Sequence, residues 1–190
     1  MPEHPTLIVL RGNSGSGKTT TAREVRRRYG RGCALIEQDH LRRVMLREHG
    51  GLGDEALAPG FIAATTRAAL ESGYHVILEG ILHTGEHGPL LRSLIERHPG
   101  PTACFYMDIP FEETVRRHHG RKDKISVTEE MMQTWYAKRD LLGTPGEHVI
   151  SAAETFEQTV TRILRESNLH ETTPQTPCPT RCSRCKEKHP

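Results

Sequence analysis

Short apolar segments alternate along most of the chain with longer segments of helical periodicity. The predicted strands are Leu7–Leu10, Ala34–Glu37, Val76–Leu78, Ala103–Met107 and Val149–Ile150. The predicted helices are Thr19–Tyr29, Leu41–Glu48, Pro59–Ser72, Pro89–Arg97, one from Pro110, one after the capping-box pattern Ser126-x-x-Glu129, and a final one carrying Phe156, Val160, Ile163 and Leu164. This alternation predicts an α/β fold of three layers, in which right-handed βαβ units form a parallel sheet between helices.

Length and hydropathy limit the possible classes of protein. The chain has 190 residues, enough for one compact domain, and a mean hydropathy of -0.58. Its longest apolar run, Ala103–Met107, is far shorter than the ~20 residues of a membrane span. The first apolar run leads directly into a glycine-rich segment, so it does not resemble a secretory signal. We therefore expect a cytoplasmic protein without a membrane partner.

The composition changes near residue 168. We predict a domain over residues 1–167 and a flexible tail rich in Pro, Thr and Cys over 168–190. Residues 167–190 hold four of the 26 Lys and Arg and two of the 24 Asp and Glu, which leaves 22 of each in the body. Because a neutral body gains little from counterion release, the charge disfavours nucleic acid as a partner without excluding it.

A glycine-rich motif, G-x-x-x-x-G-K-[ST], lies between the first strand and the first helix. We predict that the cofactor-binding residues are Gly12, Asn13, Ser14, Gly15, Ser16, Gly17, Lys18, Thr19 and Thr20. Glycines let backbone N–H groups approach an anion, and the start of a helix favours negative charge. The Lys18 ammonium suits the β- and γ-phosphates of ATP, and the Thr19 hydroxyl suits Mg²⁺. The motif predicts a nucleotide site.

Two acidic residues follow predicted strands. Asp39 comes just after the second strand and Glu79 ends the third. Ligands of open α/β sheets bind beyond the carboxyl ends of the strands, so Asp39 is a candidate base for an attacking hydroxyl, and Glu79 is a candidate to hold that hydroxyl or a Mg²⁺-bound water. His83 is a candidate for the acceptor pocket. The structural alternatives are a helix cap for Asp39, a hydrogen-bonded strand-end carboxylate for Glu79 and an ordinary surface position for His83.

A basic segment follows the fourth strand. It contains Arg116, Arg117, Arg121, Lys122 and Lys124. Arginine side chains stabilise charge on a transferring phosphoryl group, which predicts a helical lid with Arg117 and Arg121 as its catalytic residues. The alternative is a solvated charged surface.

The tail contains a possible metal-binding pattern. Cys178, Cys182, Cys185 and His189 supply three thiolates and an imidazole, a ligand set typical of structural Zn²⁺. The alternative is an unstructured extension. The other two cysteines, Cys33 and Cys104, lie in or beside apolar segments and are expected to be buried thiols.

The chain resembles the small P-loop kinases, most closely the branch with zeta toxins, chloramphenicol phosphotransferase and the kinase domain of polynucleotide kinase. The resemblance covers roughly residues 6–166 and rests on GNSGSGKTT, EQDH, VILEG and FEETVRRHHGRK. It implies a P-loop NTPase fold with five parallel strands in the order 2-3-1-4-5. It also implies that Asp39 is the catalytic base and that Arg117 and Arg121 contact the transferred phosphate.

The sequence departs from the standard pattern in one respect. No apolar strand ends in the aspartate of a Walker B motif, so we expect Thr19, the phosphates and water to hold Mg²⁺. The expected activity is ATP-dependent phosphorylation of a small-molecule hydroxyl. The alternatives are a nucleotide or polynucleotide 5′-hydroxyl kinase and a P-loop ATPase or switch that acts through partners.

Overall fold

A five-stranded parallel sheet forms the centre of the molecule. The structure, a computed structural model, describes residues 4–48, 57–120 and 127–174. The strands are β1 Leu7–Gly12, β2 Cys33–Glu37, β3 His75–Gly80, β4 Thr102–Asp108 and β5 His148–Ser151. Their order, β2-β3-β1-β4-β5, confirms the predicted α/β topology. The strand that leads into the glycine-rich motif therefore lies in the middle of the sheet.

Helices cover both faces of the sheet. They are α1 Lys18–Tyr29, α2 Ala58–Glu71, α3 Thr84–Arg97, α4 Phe111–His119, α5 Glu129–Trp135 and α6 Phe156–Glu166. Side chains of a strand point alternately to its two faces. In β1, Ile8 and Leu10 pack with α1 and α6, whereas Leu7 and Val9 pack with α2 and α3. Both faces of β1 are therefore covered by helices, which explains why the apolar run Leu7–Leu10 is continuous.

Several element boundaries differ from the prediction. Strand β3 runs from His75 to Gly80, and α3 begins at Thr84, five residues before the predicted start at Pro89. The predicted helix after Asp39 is a π-helical turn, His40–Met45. The N-cap of α5 is Thr128, whose side chain accepts a hydrogen bond from the Met131 amide. Ser126, predicted as the cap, lies outside the described residues.

The core extends beyond the predicted domain boundary at residue 167. Leu169 is fully buried in the cluster between the sheet and α1 and α6. The Thr172 hydroxyl lies 3.2 Å from the Tyr29 hydroxyl, which ties the same segment to α1. The segment just after residue 167 therefore packs on the domain, although its single apolar residue gives no periodic signal, and the boundary itself stays a prediction. Residues 175–190 of the predicted tail lie outside the described residues.

Two further expectations concern cysteines and membranes. Cys33 and Cys104 are free thiols and are buried, as predicted, and burial raises the pKa of the Cys33 thiol to about 12. Among residues 4–48, 57–120 and 127–174, no helix has the length and apolar character needed to span a membrane.

Candidate active site

The glycine-rich motif forms a tight loop between β1 and α1. Its Gly15 and Gly17 have φ angles of 79° and 99°, a region that favours glycine. The amide of Thr21 donates to the Gly17 carbonyl, which closes the first turn of α1. The first amides of a helix have no intrahelical acceptor, so this end of α1 faces the loop with N–H donors and a partial positive charge. The loop and the start of α1 therefore have the arrangement from which phosphate binding is predicted.

Lys18 and Thr19 begin α1 directly beneath this loop. The Lys18 ammonium donates to the Asn13 carbonyl at 3.1 Å and is largely buried. The Thr19 hydroxyl donates to Oε1 of Glu79 at 3.0 Å. The second contact joins the loop to β3, the strand that pairs with β1. The lysine, the hydroxyl and the carboxylate therefore form one cluster at the carboxyl end of the sheet.

Glu79 is an acid in an apolar strand end. Its side chain is 3% exposed, and its Oε2 has no hydrogen-bond partner. Burial raises the pKa of this carboxyl, and the charge of Lys18 and the hydrogen bond from Thr19 oppose that rise. A buried carboxylate oxygen without a protein donor is costly, because burial disfavours its negative charge. A cation or a donor from a ligand would satisfy it.

Asp39 lies after β2, on the same side of β1 as Glu79. Its carboxylate is 69% exposed and pairs with Arg43 at 3.3 Å. It is the N-cap residue of the π-helical turn, but its side chain makes no capping hydrogen bond. The capping alternative is therefore not realised, and the carboxylate remains open to a ligand. His83 lies beyond β3, with its Nδ1 3.7 Å from Oδ2 of Asp140.

The helix α4 carries the described part of the predicted lid. Nη1 of Arg117 donates to the Ser16 carbonyl at 2.7 Å, and its Nε donates to Glu113 at 2.7 Å. Arg116 also pairs with Glu113, but its side chain is 74% exposed. A Cβ on Gly15 would lie 2.5 Å from the Thr114 carbonyl oxygen, so α4 packs closely on the loop. Arg121 lies outside the described residues.

A cavity of about 330 Å³ opens on the other side of the glycine-rich loop, towards β4 and β5. Its lining residues are Ser16, Gly17, Thr20, Thr21, Met107, Ile109, Arg117, Ile150, Ser151, Glu154, Phe156 and Thr159. The sequence does not predict that β4, β5 and the start of α6 line a cavity beside this loop. These residues carry no motif, and only the strand order brings them beside the loop.

A second contact was also missed because its partners are far apart in sequence. The Asn13 side chain donates to the Ala137 carbonyl at 2.9 Å and accepts from the Ala137 amide at 3.0 Å. The pair fixes the segment after α5 against the glycine-rich loop. A side-chain amide carries a donor and an acceptor side by side, which suits the amide and carbonyl of one backbone residue.

The described residues also bear on metal binding. Across the three described ranges, no group of three or more His, Cys, Asp or Glu side chains is arranged to hold a metal ion. The predicted Zn²⁺ ligands, Cys178, Cys182, Cys185 and His189, lie outside those ranges. The Thr19 hydroxyl and the unpartnered Oε2 of Glu79 are oxygen donors, the type that Mg²⁺ prefers.

Comparisons with known proteins agree with this geometry. A gluconokinase from Sinorhizobium meliloti has a similar structure, with 21% identity and a TM-score of 0.62. The match covers 88% of this chain and 97% of the gluconokinase. The chain also matches an APS kinase from Mycobacterium tuberculosis, solved with AMPPNP and APS, over 90% of this chain and all of that one, with 16% identity and a TM-score of 0.66. A search of curated sequences finds no match.

These two solved structures share the fold of this chain, and both are named as kinases. The narrower resemblance to zeta toxins, chloramphenicol phosphotransferase and polynucleotide kinase stays a prediction. A family model described as an AAA domain matches residues 7–142, which include the glycine-rich loop, Asp39, Glu79 and α4. The chain therefore belongs to the AAA domain family.

Proposed function

We propose that the protein is an ATP-dependent phosphotransferase that moves the γ-phosphoryl group of ATP to a hydroxyl of a small molecule. One observation carries this proposal: the glycine-rich loop lies between a cavity on its β4–β5 side and two carboxylates, Asp39 and Glu79, on its β3–β2 side. A nucleoside fits the cavity, the phosphates fit the loop, and an acceptor fits the side with the carboxylates. Two separate substrate regions favour transfer over simple hydrolysis.

The loop and α1 would bind the phosphates. The amides at the start of α1 and the Lys18 ammonium offer donors to the β- and γ-phosphates. Thr19 and Glu79 would hold Mg²⁺, which neutralises charge on the phosphate oxygens when bound. This role gives the unpartnered Oε2 of Glu79 a partner. It also adds a protein carboxylate to the Thr19 site that the sequence predicted.

Asp39 would act as the general base. Its exposed carboxylate can accept the proton of the acceptor hydroxyl as that oxygen bonds to the γ-phosphorus and ADP leaves. The ion pair with Arg43 keeps this carboxylate oriented at the end of β2. The pair is long, at 3.3 Å, so the acceptor can compete for the carboxylate.

Arg117 would stabilise the charge of the transferred group. It already contacts the Ser16 carbonyl, and it also lines the proposed nucleoside cavity. A guanidinium at this position can reach phosphate oxygens and help to exclude water. We propose the same contact with phosphate for Arg121, on the resemblance alone.

The acceptor would be a small molecule bound near Glu79, Asp39 and His83. The gluconokinase and the APS kinase are named for small acceptors. The neutral charge of residues 1–166 also argues against a polynucleotide.

The test is a screen for phosphorylated products. Full-length protein is incubated with ATP, Mg²⁺ and metabolite extracts, and mass spectrometry looks for compounds that gain one phosphoryl group. A 5′-hydroxyl oligonucleotide is included as a separate acceptor. Asp39→Asn is the catalytic variant, and Arg43→Gln, which keeps the carboxylate, is its matched control.

We expect a phosphorylated small molecule whose formation falls about 100-fold or more in Asp39→Asn and only a few-fold in Arg43→Gln. ATP hydrolysis without any phosphorylated product would instead support the ATPase or switch alternative. Transfer only to the oligonucleotide would support the polynucleotide alternative. Unchanged transfer by Asp39→Asn would exclude Asp39 as the base.

A further inference from the structure

A fully buried arginine lies at the end of the strand that leads into the phosphate-binding loop. Arg11 precedes Gly12 in β1, and its side chain is 0% exposed. The strand alternation places it on the face where Leu7 and Val9 pack with α2 and α3. Taking a guanidinium out of water costs several kcal/mol unless partners compensate for it. The groups that contact Arg11 therefore indicate the structural role of this buried charge.

The partners of Arg11 come from two loops, residues 81–83 between β3 and α3 and residues 136–147 between α5 and β5. Nη2 pairs with Oδ2 of Asp140 at 2.7 Å, and Nη1 lies 3.4 Å from Oε1 of Glu147. Nε donates to the Leu82 carbonyl at 3.0 Å. The guanidinium also lies 5.6 Å from the centre of the Tyr106 ring, on the neighbouring strand. One side chain thus connects the loop after β3 with the loop between α5 and β5, which it contacts at Asp140 and again at Glu147, next to β5.

The two carboxylates extend these connections to backbone amides. Asp140 accepts hydrogen bonds from the amide of Thr84 at 3.0 Å and from the Thr84 hydroxyl. Glu147 accepts from the amides of Leu142 and Gly143 at 3.0 and 2.9 Å. We call Arg11, Thr84, Asp140 and Glu147 the Arg11 cluster.

The Arg11 cluster holds a strained backbone. Leu82 has a φ of 48°, a conformation that side-chain-bearing residues rarely adopt, and it is fully buried. Arg11 binds its carbonyl, and the Gln38 side chain accepts a hydrogen bond from its amide at 3.2 Å. Gln38 directly precedes Asp39. The backbone of Leu82 therefore lies between the strand of the phosphate-binding loop and the proposed base.

Residues 82–84, which we call the acceptor loop, follow Glu79 and include His83. Nδ1 of His83 is 3.7 Å from Asp140, so the cluster also reaches the side chain proposed to contact the acceptor. The Asn13–Ala137 pair anchors the segment that carries Asp140 to the phosphate-binding loop itself. A continuous path thus runs from Asn13 through residues 137–140 to the acceptor loop.

We propose that Arg11 and Asp140 are positioning residues that couple the acceptor loop to the phosphate-binding loop. When Arg11 and Asp140 are paired, a nucleotide bound at the phosphate-binding loop, which is the glycine-rich loop between β1 and α1, stabilises residues 82–84 and 137–142. The acceptor hydroxyl is then aligned with the transferred group. The kinetic part of this inference rests on the proposed kinase function, whereas the coupling itself does not.

The coupling is tested by hydrogen exchange on the full-length protein, with AMPPNP and Mg²⁺ as the probe. In the wild type we expect the nucleotide to slow exchange at the amides of 82–84 and 137–142 about tenfold. Asp140→Asn removes the charge that holds Arg11, so this protection is expected to disappear. The Kd for AMPPNP, measured by calorimetry, is expected to change less than about twofold, because α1 and Lys18 are untouched.

Two further variants keep the test decisive. Thr84→Val deletes one hydroxyl contact and leaves the ion pair of Arg11, so it serves if Asp140→Asn does not fold; its loss of protection is expected to be confined to 82–84. Arg28→Met is the matched control, since Arg28 forms its ion pairs with Glu24 and Glu157 on the outer surface of α1 and α6. It is expected to match the wild type in every measurement.

With an acceptor from the screen, Asp140→Asn is expected to lower kcat about 10- to 100-fold with an unchanged KM for ATP. Protection that persists in both Thr84→Val and Asp140→Asn would overturn the coupling, as would an AMPPNP affinity that falls in parallel with kcat. If the wild type phosphorylates no acceptor, the proposed function fails, while loss of protection in the variants would still support the coupling.

Discussion

The Thr19 hydroxyl donates a 3.0 Å hydrogen bond to Glu79, which links the first turn of α1 to the end of β3. The two residues are far apart in sequence but meet because β3 pairs directly with β1. Because this hydroxyl and this carboxylate are hydrogen-bonded, one cation can contact the remaining lone pairs of both groups. This contact is the structural basis for the proposed Mg²⁺ site.

Glu79→Gln tests this contact by removing the charge and keeping the side-chain shape. The amide oxygen can still accept from Thr19, and the buried carboxylate no longer has to be desolvated, so we expect unfolding temperature to be unchanged or higher. Phosphoryl transfer is expected to fall about 100-fold, and the Mg²⁺ concentration for half-maximal rate is expected to rise. Enzyme assays over a Mg²⁺ series and thermal melts measure both effects.

The control for this variant is Glu37→Gln. Glu37 is the partner of Glu79 in the β2–β3 register, but it pairs with Arg23 near the surface. We expect little change in its Mg²⁺ dependence. Equal effects of the two substitutions would mean that Glu79 contributes only general negative charge.

The sequence predicted the central features of this site for a clear reason. The glycine-rich motif and its place between a strand and a helix follow from local patterns: a glycine spacing, a strand before it and a helix after it. Glu79 was identified from its place at a strand end, but its contact with Thr19 depends on which strands are neighbours. That order came from the resemblance, since periodicity alone does not distinguish one parallel order from another.

The features that were missed depend on long-range contacts. The cavity beside the loop combines β4, β5 and the start of α6, and Arg11 is a charged residue at a position that the apolar pattern did not extend to. The burial of Leu169 has a similar cause, because tertiary packing covers this residue without a helical repeat around it. Such contacts are set by the assembled sheet.

Two neighbouring arginines on α4 allow the proposed lid role to be tested against a role as surface charge. Arg117 and Arg116 both pair with Glu113, but Arg117 also binds the Ser16 carbonyl, whereas Arg116 is 74% exposed. We expect Arg117→Gln to lower kcat for phosphoryl transfer about 10- to 1,000-fold, because it removes a positive charge beside the phosphates. Arg116→Gln is expected to retain nearly full activity. Steady-state kinetics on both variants would show a lid role to be wrong if they behaved alike.

The close packing of α4 on the phosphate-binding loop predicts a strong effect of one methyl group. At Gly15, a Cβ would lie 2.5 Å from the Thr114 carbonyl oxygen and 3.0 Å from Cε of Met132, and the φ of 79° is unfavourable for alanine. We expect Gly15→Ala to destabilise the fold by about 1–3 kcal/mol and to abolish measurable AMPPNP binding. Urea unfolding and calorimetry measure the two effects.

The matched control is Gly60→Ala in α2. A Cβ there meets nothing within 4 Å, so alanine is expected to raise the stability by about 0.5–1 kcal/mol through its helix propensity. AMPPNP binding should be unaffected. Normal nucleotide affinity in Gly15→Ala would show that the loop and α4 separate readily.

A buried histidine behind the acceptor loop makes stability depend on pH. His87 is 2% exposed, and its Nε2 lies 3.2 Å from the Gln38 amide nitrogen. Burial, together with the charges of Arg42, His83 and Arg11, lowers the pKa of His87 to about 4. The nearest acid is Glu86, with a carboxylate oxygen 3.9 Å from Nε2. The neutral imidazole therefore accepts the hydrogen bond from Gln38.

This low pKa means that the unfolded chain binds a proton at His87 more readily than the folded protein does. The contribution of neutral His87 is fully present above about pH 6.5 and is lost progressively as the pH falls towards about 4. At about 1.4 kcal/mol per pKa unit, the free energy of unfolding falls by up to ~3 kcal/mol over this range. Urea unfolding of the wild type and His87→Gln across this range measures it, since glutamine can accept from Gln38 but does not titrate.

We expect the difference in unfolding free energy between wild type and His87→Gln to shift in favour of the variant as the pH falls. The control is His170→Gln, because the His170 side chain is 47% exposed and its loss should leave the pH dependence unchanged. Parallel pH profiles for the wild type and His87→Gln would mean that the imidazole takes up its proton in the folded protein as easily as in the unfolded chain. It would then be wrong that the neutral imidazole accepts a hydrogen bond from Gln38 and thereby supports the contact of Gln38 with the Leu82 amide.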